Sequence, residues 1–182
     1  MTAPSFRFAV HRDAAALADL IERAYRNPEA AGRWDSESHL LTGPRTSPEE
    51  MAALLADPDS RFLIAEANGR ASGCCLIQKL GSAGRPAGEQ GPAYFGMFAI
   101  DARARNIGLG KQVLAEAETR VRKLWNAPAM VMTVINVRTE LIAWYERRGY
   151  RLTGAAMPFP FSETSGEVTC DFHLVELRKD FA

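Results

Sequence analysis

The stretch Arg105-Asn106-Ile-Gly108-Leu109-Gly110-Lys111 combines residue types and spacing suited to holding an anion. Glycines at 108 and 110 let the main chain approach a ligand with no Cβ in the way. The apolar run Ala93-Tyr-Phe-Gly-Met-Phe-Ala-Ile100 precedes them, and a long amphipathic segment follows. A loop whose N–H groups converge on a helix N-terminus suits phosphate, since those donors lack intrahelical partners and the helix dipole favours negative charge. The first expectation is a phosphorylated cofactor.

Two phosphate loops are excluded by single residues. The dinucleotide fingerprint needs a third glycine where Val113 stands. The P-loop needs glycine where Arg105 stands, and Ser or Thr where Gln112 stands. Those residues do mechanical work in the two motifs, so neither reading survives their replacement.

The elements that must position this loop are legible from periodicity. A helix over about 108–125 buries Leu109, Val113, Leu114, Ala117, Val121 and Leu124 on one side. Asn126 and Pro128 end it, and an apolar strand follows at once. Asn136 is expected to cap the next, short helix, which stops at Gly149-Tyr150. Upstream, residues 6–10 read as a strand, and Asp13 as the cap of a helix carrying Leu17, Leu20, Ile21 and Ala24 at helical spacing.

A polar connection over 29–46 leads to Ser47-Pro48-Glu49-Glu50, a capping box that starts a second helix. Residues 61–67 and 71–80 read as strands around the hairpin signal Asn68-Gly69. A Gly/Pro-rich loop spans 81–92. Short strands are expected over 150–154 and 168–178, with a loop over 158–166 between them. The resulting order is β-α-α-β-β-β-α-β-α-β-β. Direct hairpins within it mean that the sheet cannot be wholly parallel.

Composition bounds the rest. With 182 residues, of which 47% are hydrophobic, the chain can bury a sizeable core, and residues 1–182 are expected to form a single domain. Lysine plus arginine equal aspartate plus glutamate at 22 each, so no net charge recruits nucleic acid or a membrane surface. No apolar run approaches the ~20 residues that span a bilayer. The first residues, Met1-Thr-Ala-Pro-Ser-Phe-Arg7, have no signal-peptide core, so the expected location is cytoplasmic. Cys74, Cys75 and Cys170 do not form a disulfide or zinc pattern, and His11, His39 and His173 have no ligand spacing. No metal is therefore expected. Cys74 and Cys75 are expected to be small core side chains on opposite faces of a strand, and Phe159 and Phe161 loop anchors.

The pattern Arg105-x-x-Gly108-x-Gly110 resembles the pyrophosphate-binding motif of the GNAT superfamily of N-acetyltransferases. A second segment, residues 129–150, is similar to that family's fifth strand and following helix. There Asn136 ends the strand, Tyr145 lies on the helix, and Gly149-Tyr150 is the turn beyond. The resemblance implies a GNAT fold, an α/β arrangement with a mixed, mostly antiparallel twisted sheet of about seven strands and helices on both faces.

It also implies roles. Acetyl-CoA would be the co-substrate, held by the loop of Arg105, Asn106, Gly108, Leu109, Gly110 and Lys111, with Asn136 nearby. The backbone of Phe98, Ala99 and Ile100 would pair with the pantetheine arm as an added strand. Tyr145 would protonate the leaving thiolate, a phenol being protonated at neutral pH. Many relatives place a carboxylate early in the fourth strand, where this chain has Ala93-Tyr94-Phe95-Gly96. Glu37, Asp171 and His173 are alternative sources of a base, and the residues do not choose between them.

The connection containing Trp34, Glu37 and Arg45 is expected to border the acceptor pocket, Glu37 favouring a cationic amine and Arg45 a carboxylate. The expected activity is acetyl transfer to the primary amine of a small molecule. A non-catalytic acyl-CoA sensor of the same fold and a protein or peptide acetyltransferase are the alternatives. Relatives are frequently dimers, so the resemblance allows for a homodimer.

Overall fold

The computed structural model describes residues 3–26, 37–67, 69–81, 90–104, 108–160 and 171–182. Its strands are β1 (Ser5–Phe8), β2 (Ser60–Ala67), β3 (Arg70–Lys79), β4 (Ala93–Ile100), β5 (Ala129–Ile135), β6 (Arg151–Pro158) and β7 (His173–Asp180). Its α-helices are α1 (Ala14–Arg26), α2 (Pro48–Ala56), α3 (Leu109–Trp125) and α4 (Thr139–Glu146). The element order is the one that the sequence pattern predicts.

One sheet in the order β1-β2-β3-β4-β5-β7-β6 carries all of these strands. Every neighbouring pair is antiparallel except β4 and β5. Alternation along the strands divides the core between two faces. On one, Leu63, Cys75, Ile77, Phe95 and Met132 pack against Val113, Leu114, Ala117 and Val121 of α3 and Leu141 and Tyr145 of α4. On the other, Phe62, Ile64, Cys74 and Leu76 pack against Leu17, Leu20 and Ile21 of α1 and Met51 of α2. Cys74 and Cys75 thus fill opposite faces, both fully buried, and burial pushes the Cys74 thiol up to about 12.

Boundaries shift where side chains find other partners. Ser47 caps α2 by accepting from Glu50 N at 3.2 Å, while the Glu50 carboxylate accepts from Thr46 Oγ1 at 2.8 Å instead of closing the box. Asp13 does not cap α1. It ends a short 3-10 turn, His11–Asp13, and its carboxylate takes Val10 N at 2.8 Å and the Arg7 guanidinium at 2.7 and 3.0 Å. β6 extends to Pro158, past the expected stop near Gly154. That glycine turns in the left-handed region at φ +85 within a bulge between Leu152 and Ala156, and pairing resumes beyond it. β7 begins at His173, later than expected. Asn68, Cys170 and Phe161 lie outside the described residues.

Candidate functional site

The site begins where two strands part. β4 and β5 pair in parallel only at Ala93↔Met130 and Tyr94↔Val131. Beyond that point β4 carries a bulge: Cys74 faces Ala99 and Leu76 faces Gly96, so Cys75 alone spans both Met97 and Phe98. Met97 takes a left-handed conformation at φ 45, which a non-glycine residue adopts at a cost of about 1 kcal/mol or more. A bulge bends its strand and re-aims the residues beside it. Here it leaves the β5-facing edge of β4 without a ladder. A cavity of about 460 Å³ occupies the opening, lined by residues 94–98 of β4 and 132–135 of β5 among others. That volume lies in the range of small-molecule sites.

The mouth of α3 borders this opening. Gly108 precedes the helix at φ +76, a conformation that glycine adopts without Cβ strain. The first bond of the helix runs from Gln112 N to Gly108 O at 3.2 Å. The amides of Leu109, Gly110 and Lys111 therefore come before the intrahelical ladder starts. Gly110 lies against β4 and α4. A Cβ there would sit 3.2 Å from Phe98 Cζ and 3.8 Å from Trp144 Cζ2. The Phe98 and Trp144 rings are 5.9 Å apart, so they wall the space beside the helix mouth. A bare backbone, a dipole end and an unpaired strand edge fit an extended ligand with a phosphate group. Arg105 and Asn106 lie outside the described residues.

Tyr145 projects from α4 into the same cavity. It is 4% exposed and packs edge-on against Trp144 at 5.0 Å, Tyr150 at 5.8 Å and Phe95 at 6.5 Å. Burial, with a smaller contribution from Tyr25, raises its pKa well above the ordinary phenol value. The group is held as a neutral O–H donor at any physiological pH. Across the cavity floor, Tyr94 Oη lies 3.2 Å from Thr133 Oγ1 and bridges the parting strands. Gly96 makes room for that ring, because a Cβ there would meet Tyr94 Cε1 at 2.6 Å.

The third wall comes from the connection between α1 and α2. Leu40 and Leu41 pack with Ile135, Phe172, Phe159 and Leu174, which fixes the segment over the ends of β5 and β7. Phe159 meets Phe172 edge-on at 4.9 Å, the anchoring role expected of it. Glu37 and Arg45 both line the cavity, while Trp34 lies outside the described residues.

The structure changes what Glu37 can do. Its carboxylate accepts from Arg138 Nη1 at 2.6 Å and from Arg26 Nη1 at 3.4 Å. The three side chains are between 8% and 11% exposed. Glu37 is therefore the counter-charge of two guanidiniums, not a carboxylate left open for a cationic amine. Arg45 stacks over the Tyr25 ring at 5.2 Å. Tyr25 also lines the cavity, and burial, then the Glu37 charge, pushes its phenol up to about 12.

Arg26 and Arg138 are not singled out by sequence reasoning. In sequence they are an ordinary basic residue in a helix's last turn and another just before a helix start.

Asn136 is not a helix cap. Arg138 holds the N-cap position of α4, and Asn136 instead exchanges two bonds with His173, donating from N to its carbonyl and accepting from its N–H at Oδ1, both at 2.9 Å. Continuing the β5–β7 ladder wins over capping because it satisfies two backbone groups at once. His173 and Asp171 are exposed and do not line the cavity. Among the described residues, no three His, Cys, Asp or Glu side chains gather as a metal site would require.

Residues 18–150 match the profile of the acetyltransferase (GNAT) family. Three solved structures are similar over nearly the whole chain. Structure yncA from Salmonella typhimurium, with its cofactor acetyl-CoA, is 18% identical, with 98% of this chain and 94% of that one covered and a TM-score of 0.68. The acetyltransferase of GNAT family from Streptococcus pneumoniae is 18% identical, with 99% and 100% covered and a TM-score of 0.68. A ribosomal-protein-alanine N-acetyltransferase from Brucella melitensis is 17% identical, with 97% and 99% covered and a TM-score of 0.67. At such identities the likeness establishes the fold. None of the curated proteins matches the chain.

Proposed function

Because this chain belongs to the acetyltransferase (GNAT) family, we propose that it transfers an acetyl group from acetyl-CoA to the primary amine of a small molecule, with residues 1–182 acting as one domain. One observation carries this reading. A buried phenol, Tyr145, lines the cavity where β4 and β5 part, and Gly110 at the mouth of α3 lies against Phe98, which lines the same cavity.

Acetyl-CoA supplies an acetyl thioester. The amides of Leu109, Gly110 and Lys111, with the preceding Arg105 and Asn106, hold the pyrophosphate, where the helix dipole adds to the hydrogen bonds. The open edge of β4 at Phe98, Ala99 and Ile100 takes the pantetheine arm as a short added strand, near Asn136. A β4 amide at that edge would stabilise the oxyanion that forms on the thioester carbonyl. Tyr145, kept protonated by burial, donates to the sulfur as the thiolate develops. The amine is taken up neutral or loses its proton through solvent in the cavity, since Glu37 is committed to its two arginines.

The cavity volume favours a metabolite-sized acceptor over a folded protein surface. Among the described residues no helix is long and apolar enough to cross a membrane. The reading includes a cytoplasmic location, no metal and, as the family allows, a homodimer.

Release of free CoA thiol in the presence of a panel of small amines tests the activity. Amine-dependent release supports it. Saturable acetyl-CoA binding with no release across the panel would make the chain a cofactor-binding module instead.

A further inference from the structure

The opening between β4 and β5 has two ends, and different residues define them. At one end Gly110, at the mouth of α3, lies against β4, a Cβ there sitting 3.2 Å from Phe98 Cζ and 3.7 Å from Ile100 Cγ1. At the other, the last ladder pair is Tyr94↔Val131, where the two backbones meet. A strand advances about 3.3 Å per residue, so Phe98 to Tyr94 spans at most roughly 13 Å, and the bulge at Met97 shortens it.

The Tyr94 side chain reduces this length further. Tyr94 and Thr133 are half-buried and both line the cavity. The Tyr94 ring leans over Gly96, where a Cβ would meet its Cε1 at 2.6 Å, Oη at 3.2 Å and Cζ at 3.3 Å. Its hydroxyl reaches Thr133 Oγ1 at 3.2 Å, two residues beyond Val131 on β5. The backbones thus close the opening at Tyr94 and Val131. The hydroxyl pair closes it again at Gly96 and Thr133, about 7 Å nearer the helix mouth. An aromatic ring with few torsions, tethered at its far end, makes a stiff wall.

We propose that the Tyr94–Thr133 clasp is a stop for the acyl group and makes the site selective for acetyl over longer acyl donors. The inference rests on the acetyltransferase reading above. There the pantetheine arm enters from the α3 end along Phe98–Ile100, so the group carried on its sulfur is directed towards the far end. A longer chain meets the ring and has to displace it or break its bond to Thr133. Overlap with a packed wall is destabilising, and a single methylene can be discriminated by roughly tenfold or more.

Acetyl-, propionyl- and butyryl-CoA are compared on the full chain, in turnover with one amine acceptor and, without amine, in calorimetric binding. From acetyl to butyryl, kcat/KM and affinity should each fall by roughly tenfold or more. Tyr94→Ala should raise the butyryl-to-acetyl ratio in both measurements by at least about tenfold. Thr133→Val keeps the side-chain shape and removes only the bond, and should raise the ratio by roughly threefold, the worth of one hydrogen bond. The wild-type series needs no variant, so the test stands even where Tyr94→Ala folds poorly. Equal kcat/KM and affinity for acetyl- and butyryl-CoA, or a preference untouched by both variants, would overturn the stop and leave the acetyltransferase intact. A binding preference for acetyl-CoA that Tyr94→Ala removes, with no amine-dependent CoA release from any thioester, would support the stop and remove the activity.

Discussion

Glu37 and Arg138, 101 residues apart in the chain, meet at 2.6 Å beneath the cavity, and Arg26 closes the group from the other side. One carboxylate thus ties the α1–α2 connection to the start of α4. Breaking a buried pair by removing one partner leaves the other charge without compensation. Glu37→Gln is accordingly expected to lower unfolding free energy by about 3 kcal/mol in urea denaturation, with the exposed Glu50→Gln as a small-effect comparison. An unchanged midpoint would mean that the group is solvated and contributes little.

Tyr145→Phe removes one oxygen from a ring whose packing against Phe95, Trp144 and Tyr150 is otherwise retained. Turnover should fall by roughly 100-fold or more, with acetyl-CoA affinity nearly unchanged, because the lost interaction belongs to the transition state. Equal turnover in the two forms would place the acid elsewhere or assign it to solvent.

The two loop glycines should separate by readout. Gly110 is confined by its neighbours and has no positive φ; a side chain there would begin 3.2 Å from Phe98 Cζ. Gly110→Val should therefore weaken acetyl-CoA binding by roughly tenfold while folding persists. Gly108 has open space but φ +76, so Gly108→Ala should cost about 1 kcal/mol of stability by straining the helix start. Thermal unfolding and cofactor titration on both variants check this. Identical profiles would mean that the two positions do the same job.

Alkaline pH tests two phenols, the buried Tyr145 and the partly buried Tyr25. Tyr25 is pushed up to about 12, and Tyr145 is raised further by burial. The unfolded chain releases these protons near pH ~10 while the native state keeps them. Their contribution to stability is therefore fully present below about pH 10 and is lost as pH rises through the folded values. Thermal midpoints should fall between pH ~10 and 12, and Tyr25→Phe should flatten that fall. A slope untouched by the substitution would show that Tyr25 is reached by solvent in the native state.

Periodicity and turn chemistry carry most of the fold. The apolar stripe of α3 from Leu109 to Val121, the Ser47 cap and the antiparallel β2–β3 hairpin depend on neighbours close in sequence and all three appear, but Leu124, expected to be buried with that stripe, is 46% exposed in the last turn of the helix. The glycine loop and Tyr145 are legible because motif and element order agree. Asn136 misleads, since an asparagine before a helix looks like a cap until a distant strand claims its side chain. The arginine pair is invisible for the same reason. Arg26 and Arg138 acquire meaning only when β5 brings the start of α4 under Glu37. Nor does local pattern reveal the bulge at Met97, which is imposed by registering β4 against β3.

The central claim is that the mouth of α3 grips a diphosphate and the open edge of β4 takes the arm attached to it. Isothermal titration of the folded chain with CoA tests this most directly. The account predicts saturable one-to-one uptake in the micromolar to sub-millimolar range, weakened in Gly110→Val. Absence of saturable heat from protein with native circular dichroism would contradict it.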